Sequence, residues 1–385
     1  MPKQHIPYGR QWIDEDDIAA VIEVLRSDWL TTGPKVREFE AAFAALVGAE
    51  HGVAVSSGTA ALHAAIFALG IGPGDEVIVP PMTFAATANC VVFQGGKPVF
   101  ADVDDDALLI DPQEVERQIT PRTKAIIAVD YAGHPCDYEA LAGLAERHGL
   151  ALVADACHSL GGSYRGRAVG TWAHLTAFSF HPVKHVTTGE GGMITTDNAP
   201  LAERLKMFRN HGITSDHWQR EQQGAWAYEM VELGYNYRLT DFQCALGMSQ
   251  LKKLPDWVAR RQAIAQRYRD ELGKVPGLQI LKVSPDVSHA YHLFVVRLKT
   301  ENPEADRRQM FAALRQRGIG VNVHYIPVHL HPFYRRRFGT GPGLCPRAEA
   351  AYQEIMSLPL FPRLKDREVE EVIAAIQEIM ASFFR

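Results

Sequence analysis

The sequence predicts an α/β protein, with a mostly parallel central sheet in a large domain and a smaller α+β domain at the C-terminal end. Apolar runs of strand length alternate with helix-period patterns through roughly the first 240 residues, as expected of a parallel sheet covered on both faces. Gly, Pro and Asp punctuate each change of period. At 385 residues the chain exceeds the size at which a single core stays common. The texture turns to longer helices after that point, so the expected division is 1–250, an N-terminal arm and large domain, and 251–385, a linker helix and small domain.

The elements follow in order. HGVAVSS reads as a strand, and then Leu62, Ala65, Ile66 and Leu69 fall on one face of a helix that ends at Gly70. After the turn GPGD come the strand EVIVP, a helix near 84–93, the strand PVFADV and a short helix opened by Asp111-Pro112. The strand KAIIAVDY, the helix YEALAGLAERHG and the strands LALVADA and TAFSF complete the alternation. The later patterns are helices in DFQCALGMSQLKK and DWVARRQAIAQRYRDEL, a strand HLFVVRL, a helix ADRRQMFAALRQRG, a strand GVNVHY and a final helix EVEEVIAAIQEIMASFF.

Composition narrows the function. With 46% hydrophobic and 22% charged residues and a net charge of −5, the chain offers no electrostatic grip for nucleic acid or an anionic membrane. The opening MPKQHIPYGR has no apolar signal core and no run approaches the ~20 apolar residues of a membrane span, so a cytoplasmic protein with a small-molecule partner is expected. Five scattered cysteines with no Cys-x-x-Cys pair read as reduced thiols. His324, His329 and His331 have no helical pairing and no acidic neighbour, which makes a metal centre a weak reading.

Ligands of an open α/β sheet bind beyond the carboxyl ends of its strands. Four motifs fall there. SSGTAAL, with Gly58 and Thr59, starts a helix whose amides suit a phosphate, though a plain capped helix looks the same. VADACHSLGG sets Asp155 and His158 after an apolar strand, where a carboxylate needs a cation or a strong donor, such as a protonated pyridine nitrogen. PPMTFAATAN offers Phe84, either a core ring or a platform for a flat cofactor. TAFSFHPVKHVTTGEGGMITT carries Ser179 and Lys184; a lysine held among apolar groups loses its proton readily and becomes nucleophilic towards carbonyls. Together the four supply what a pyridoxal phosphate enzyme needs.

These motifs, with LTTGPKVREFE, VDYAGHP, RNHG, GYNYRLTDFQCALG and VHYIPVH, resemble the DegT/DnrJ/EryC1/StrS sugar aminotransferases over essentially the whole chain. The resemblance implies the type I fold of pyridoxal phosphate enzymes. It implies Lys184 as the Schiff-base lysine and general acid/base, Asp155 on the pyridine nitrogen, and Gly58, Thr59 and Ser179 on the phosphate. Phe84 would stack on the ring, and His158 would sit near its phenolic oxygen. Asn236 would reach the site of a neighbouring subunit in a homodimer with shared active sites. Tyr8, Asp28, Trp29, Leu30, Thr31, Asn322, Val323, His324 and Tyr325 would contact a nucleotide sugar, with Gly58, Ser179 and Asn236 beside it. IPYGRQ, SDWLTTG and GYNYRL are most similar to the branch that aminates a UDP-linked 4-keto sugar for pseudaminic acid synthesis. L-Glutamate would be the donor, 2-oxoglutarate its product and pyridoxamine phosphate the intermediate form of the cofactor.

Other readings are a different nucleotide-linked keto sugar or a non-catalytic regulator of the same fold. A dehydratase relative would carry histidine in place of Lys184, and the lysine is present. A regulator usually adds a DNA-binding segment; the first family-like motif here begins within a few residues of the first methionine.

Overall fold

The structure, a computed structural model, describes residues 5–215, 220 and 224–383. Its strands are, in chain order, β1 (His51–Val55), β2 (Glu76–Val79), β3 (Lys97–Phe100), β4 (Thr123–Val129), β5 (Ala151–Asp155), β6 (Ser163–Tyr164) and β7 (Arg167–Ala168). They continue with β8 (Leu175–Ser179), β9 (Gly192–Thr196), β10 (Leu278–Ile280), β11 (Val287–Ser288), β12 (Phe294–Leu298) and β13 (Ile355–Leu358).

The main sheet has seven strands in the order β1-β9-β8-β5-β4-β2-β3. β9 pairs antiparallel with both β1 and β8. The remaining pairs are parallel. Two antiparallel steps leave β1 parallel to β8, so β1, β2, β4, β5 and β8 all end at one edge. That edge collects the four motifs. β2 and β9 are buried along their whole length, as strands covered on both faces must be.

Helix α3 (Gly58–Ala68) departs from its expected one-sided pattern. It follows α1 (Glu15–Leu25) and α2 (Pro34–Val47), precedes α4 (Ala86–Phe93), and is buried on nearly every side from Gly58 to Ala68. The reason is its neighbours: α4, β8, β9 and the helix Ala199–Phe208 surround it. Alanines at positions 60, 61, 64, 65 and 68 let it fit there.

A second sheet, β10-β12-β13, carries the helices Leu254–Leu272, Pro303–Gln316 and Asp366–Phe383. Their core includes Tyr268, Phe294, Val296, Met310, Met356 and Ile376, and Ile6 of the N-terminal arm joins it. The arm is strapped down by Gly320 N–H donating to the Ile6 carbonyl at 2.7 Å and Leu360 N–H donating to the Tyr8 carbonyl at 3.0 Å. A short third sheet orders β11-β6-β7.

GVNVHY is not a strand. The segment 320–325 forms only an isolated bridge from Asn322 to Ser357, because the Tyr131 hydroxyl, not a neighbouring strand, takes the His324 carbonyl. Residues Cys90, Cys136, Cys157, Cys244 and Cys345 are all free thiols. Among the described residues no helix is long and apolar enough to cross a membrane.

Candidate active site

β8 delivers Ser179, and the chain then loops out to Lys184 before returning as β9. The loop is closed at its neck by the Ser179 and Gly192 register pair. Inside it, Lys184 N–H donates to the His181 carbonyl at 2.9 Å, and Thr188 N–H donates to the Phe180 carbonyl at 3.1 Å. Gln243 in the helix Asp241–Leu251 donates to the Glu190 carbonyl at 2.8 Å. At Gly192 an added Cβ would lie 2.4 Å from the Ser57 carbonyl oxygen, so only glycine lets β9 pass that close to the start of α3.

Lys184 faces a cavity of about 520 Å³ that it shares with Tyr8, Gly58, Thr59, Phe84, Asp155, His158, Ser179, Asn322, Val323, His324 and Tyr325. Twelve of the seventeen residues singled out from sequence therefore meet in one place, from four strand ends, the arm and the 320–325 segment. Desolvation lowers the proton affinity of Lys184, opposed by the nearby Cys157 thiol and Asp155 carboxylate. Its amine makes no side-chain hydrogen bond among the described residues, which leaves it available to a ligand.

Asp155 is buried at the end of β5 and held in place by donors. Thr87 hydroxyl donates to Oδ2 at 2.7 Å, with Thr83 hydroxyl 2.7 Å behind it, and Cys157 N–H donates to Oδ1 at 3.3 Å. A buried carboxylate with no cation touching it is an incomplete arrangement, and a protonated heterocyclic nitrogen would complete it. Phe84 is 62% exposed, which removes the core reading; its ring stands 6.2 Å from that of Tyr325 at the mouth. The α3 cap is Ser57, whose hydroxyl accepts from Ala60 N–H at 3.0 Å. The first-turn amides of Gly58 and Thr59 have no acceptor within the helix, and a Cβ at Gly58 would come within 2.8 Å of Ser179 Cβ. The two motifs thus meet on one wall of the cavity.

The opposite wall is polar. Tyr8 is hydrogen-bonded to Asn322, and burial raises its phenol pKa. Asn322 lies 3.3 Å from His324 Nε2, and His324 Nδ1 lies 2.8 Å from the Ser357 hydroxyl. Burial lowers His324 to about 4, with Lys184 adding to the effect. His158 Nε2 sits 3.1 Å from the Tyr325 hydroxyl.

Five expected residues lie outside the cavity. Leu30 accepts from Asp241 N–H at 3.0 Å and Thr31 bridges Thr240, so the stretch Asp28, Trp29, Leu30, Thr31 runs beside the GYNYRL segment. Asn236 is exposed and bridges Asn210. Next to them is a second recess, about 550 Å³, whose walls include Arg37, Arg204, Lys206, Arg209, His211 and Arg238. The sequence reading missed Thr87, Cys157, Glu190 and His292, all of which touch Asp155 or line the cavity. Thr87 lies one turn beyond Phe84 at the start of α4, a spacing that could have found it. Among the described residues no three His, Cys, Asp or Glu side chains form a metal-binding group; His329 is spent on Glu349, 2.9 Å away.

An amine with no hydrogen bond among the described residues, facing a buried carboxylate that no cation touches, beyond the strand ends of a mostly parallel sheet, is the arrangement expected of a pyridoxal phosphate aminotransferase. The comparisons with known proteins are of one mind with the geometry. Residues 11–377 match the DegT/DnrJ/EryC1/StrS aminotransferase family, and the chain belongs to it. It is 44% identical over 97% of each chain to the spore coat polysaccharide biosynthesis protein SpsC of Bacillus subtilis. It is 43% identical over 98% of each chain to the uncharacterized protein MJ1066 of Methanocaldococcus jannaschii. Among solved structures, PseC of Helicobacter pylori, an aminotransferase of pseudaminic acid biosynthesis, superposes with TM-score 0.92 at 32% identity, covering 99% of this chain and 100% of that one. Spr1654 of Streptococcus pneumoniae, solved in pyridoxal phosphate and pyridoxamine phosphate forms, gives 0.93 at 32% identity, over 98–99% of this chain and 100% of that one. The protein is a sugar aminotransferase that uses pyridoxal phosphate.

Proposed function

We propose that the enzyme moves an amino group from L-glutamate to C4 of a UDP-linked 4-keto-6-deoxy N-acetylhexosamine, giving UDP-4-amino-4,6-dideoxy-N-acetyl-β-L-altrosamine for pseudaminic acid synthesis. The observation that carries it is the two-walled cavity, with Lys184 and Asp155 on one side and the hydrogen-bonding set Tyr8, Asn322, His324 and Tyr325 on the other. The likeness to PseC supports the substrate class.

The cofactor supplies an electron sink when its ring nitrogen is protonated. Asp155 would keep that proton in place, Gly58, Thr59 and Ser179 would hold the phosphate, and Phe84 would offer its exposed ring to one face of the cofactor. Lys184, whose proton affinity desolvation lowers, would hold the cofactor through its amine, displacing the carbonyl oxygen as water. When free, the Lys184 amine would serve as general base and then general acid, taking a proton from the donor's α-carbon in one half-reaction and returning one to the sugar carbon in the other. His158, beside the Tyr325 hydroxyl, would sit near the ring's phenolic oxygen.

Asn236 and the stretch from Asp28 to Thr31 belong, on this reading, to the partner's site in a homodimer. The exposed apolar side chains Trp226 (88% exposed) and Leu233 (73%) on the same segment support a covered face. The basic recess beside them suits the diphosphate of a nucleotide sugar. A cytoplasmic location goes with the supply of glutamate and UDP-sugars.

A second reading, a different nucleotide-linked keto sugar, is favoured by the closer identity to SpsC, a spore coat polysaccharide protein. The test is the purified enzyme with pyridoxal phosphate, whose visible band glutamate should bleach, followed by turnover of 4-keto UDP-sugars with products identified by mass and NMR. Failure of glutamate to bleach the band would sink the donor assignment. Faster turnover of a D-configured 4-keto sugar or a UDP-4-keto-arabinose would hand the case to the second reading.

A further inference from the structure

Three buried imidazoles stand together behind Lys184, and the motifs led only to His158. His292 lies between the other two, its ring centroid 4.3 Å from that of His158 and 5.8 Å from that of His185. In all three the Nδ1 atom is buried and has no hydrogen-bond partner among the described residues.

The positions of the protons follow from the partners. His185 Nε2 faces the Ala290 carbonyl at 2.8 Å, and a carbonyl only accepts, so the His185 proton is on Nε2. His158 Nε2 faces the Tyr325 hydroxyl, which could donate or accept. A proton on His158 Nδ1 would leave a buried N–H with nothing to receive it; a proton on Nε2 leaves only a bare lone pair. Orphaned buried N–H groups are the rarer of the two. His158 therefore carries its proton on Nε2 and donates to the Tyr325 oxygen. The Tyr325 O–H is then released as a donor into the cavity that Tyr325 lines.

The His292 ring packs against that of His158 at 4.3 Å between centroids, beside the buried Nδ1 edge we assign it to seal, and the His292 backbone is held in place. The fully buried Arg261 guanidinium donates to the Tyr291 carbonyl at 3.2 Å and the His292 carbonyl at 3.4 Å. Besides the Tyr325 hydroxyl, the groups whose charge acts on the pair are Lys184, His185, His324 and Arg261, all bases, so none of these four favours a charged His158.

We propose that His292 is a positioning residue: it seals the Nδ1 edge of His158, fixes that imidazole as the Nε2-protonated tautomer, and so turns the Tyr325 hydroxyl into a hydrogen-bond donor for the bound ligand. Only the last step rests on the reading of the cavity as a cofactor and sugar site. The test is the cofactor-free protein labelled with 15N-histidine, in which ring nitrogen shifts report the tautomer and protonation of His158. Wild type should show the Nε2–H form from about pH 5 to about pH 8. His292→Ala should give a tautomer mixture with a protonation midpoint moved up towards the ordinary ~6.5. His292→Phe, which keeps the seal without the nitrogens, should restore the wild-type pattern. An Nδ1–H form in wild type, an unmoved His158 in His292→Ala, or a Phe variant as altered as the Ala one would overturn the proposal. Should the Ala variant not fold, the wild-type and Phe spectra still decide. A wild-type protein that shows this tautomer yet never develops a visible band with pyridoxal phosphate would instead overturn the functional reading and leave the tautomer standing.

Discussion

Single residues carry the sharpest expectations. Lys184→Ala should bind pyridoxal phosphate without the glutamate-bleached visible band, and its turnover should fall by roughly 10²–10⁴-fold or more, the contribution of a general acid/base alone. Thr87→Val removes the shorter of the two hydrogen bonds to Asp155. A hydrogen bond to a charged group contributes about 1.5–3 kcal/mol, so the Val variant should hold the cofactor and turn over more weakly, as seen in cofactor titration and kcat. Phe84→Ala should loosen the cofactor by about 2- to 10-fold, the usual worth of an aromatic contact, with little effect on folding because the ring is exposed. The residues legible in the sequence were those whose chemistry is unusual for their place: a lysine in an apolar run, an acid ending a buried strand. Thr87 and His292 escaped because a threonine on a helix and a histidine before a strand are ordinary there, and only the fold sets them against Asp155 and His158.

Elements place those residues, and their fit is tight in two spots. Gly58→Ala would drive a methyl to within 2.8 Å of Ser179 Cβ, where the flanking backbone must yield. The expected outcome is weaker cofactor retention on dialysis with a modest loss of melting temperature. Strand and helix order in the large sheet was readable because period-2 and helix-period runs are separated by clear Gly, Pro and Asp breaks. The segment 320–325 was not, since Val321, Val323 and Tyr325 alternate as in a strand while the segment bonds through a lone bridge at Asn322, the Tyr131 hydroxyl on the His324 carbonyl, and the side chains of Asn322 and Met82. The helical pattern of α3 was found, yet its burial on nearly every side was not, because alanine counts as apolar without saying how many neighbours press on it.

At the scale of the whole molecule, buried neutral histidines make stability depend on acid. Burial lowers His63 to about 4 and His324 to about 4, and His185 to about 3, helped there by the Arg261 charge. Unfolded, each would titrate near 6.5. As pH falls below that value the unfolded chain takes up protons that the folded chain refuses, so stability is full above about 6.5 and declines towards pH 4. Chemical denaturation at a series of pH values should show that slope, and His63→Phe should flatten it. The proposed homodimer adds a concentration-dependent share, and sedimentation should give a species of twice 42.7 kDa.

The loop that carries Lys184 has a further consequence. Its neck is closed by β8 and β9 and its interior by the bonds at Phe180, His181 and Thr188. When free of a bound cofactor, the amine would stay on a short leash, and its local concentration at the reacting carbon would far exceed that of any amine in solution. Methylamine added to Lys184→Ala should therefore recover only a small fraction of turnover, rising linearly with amine and showing no plateau in the accessible range.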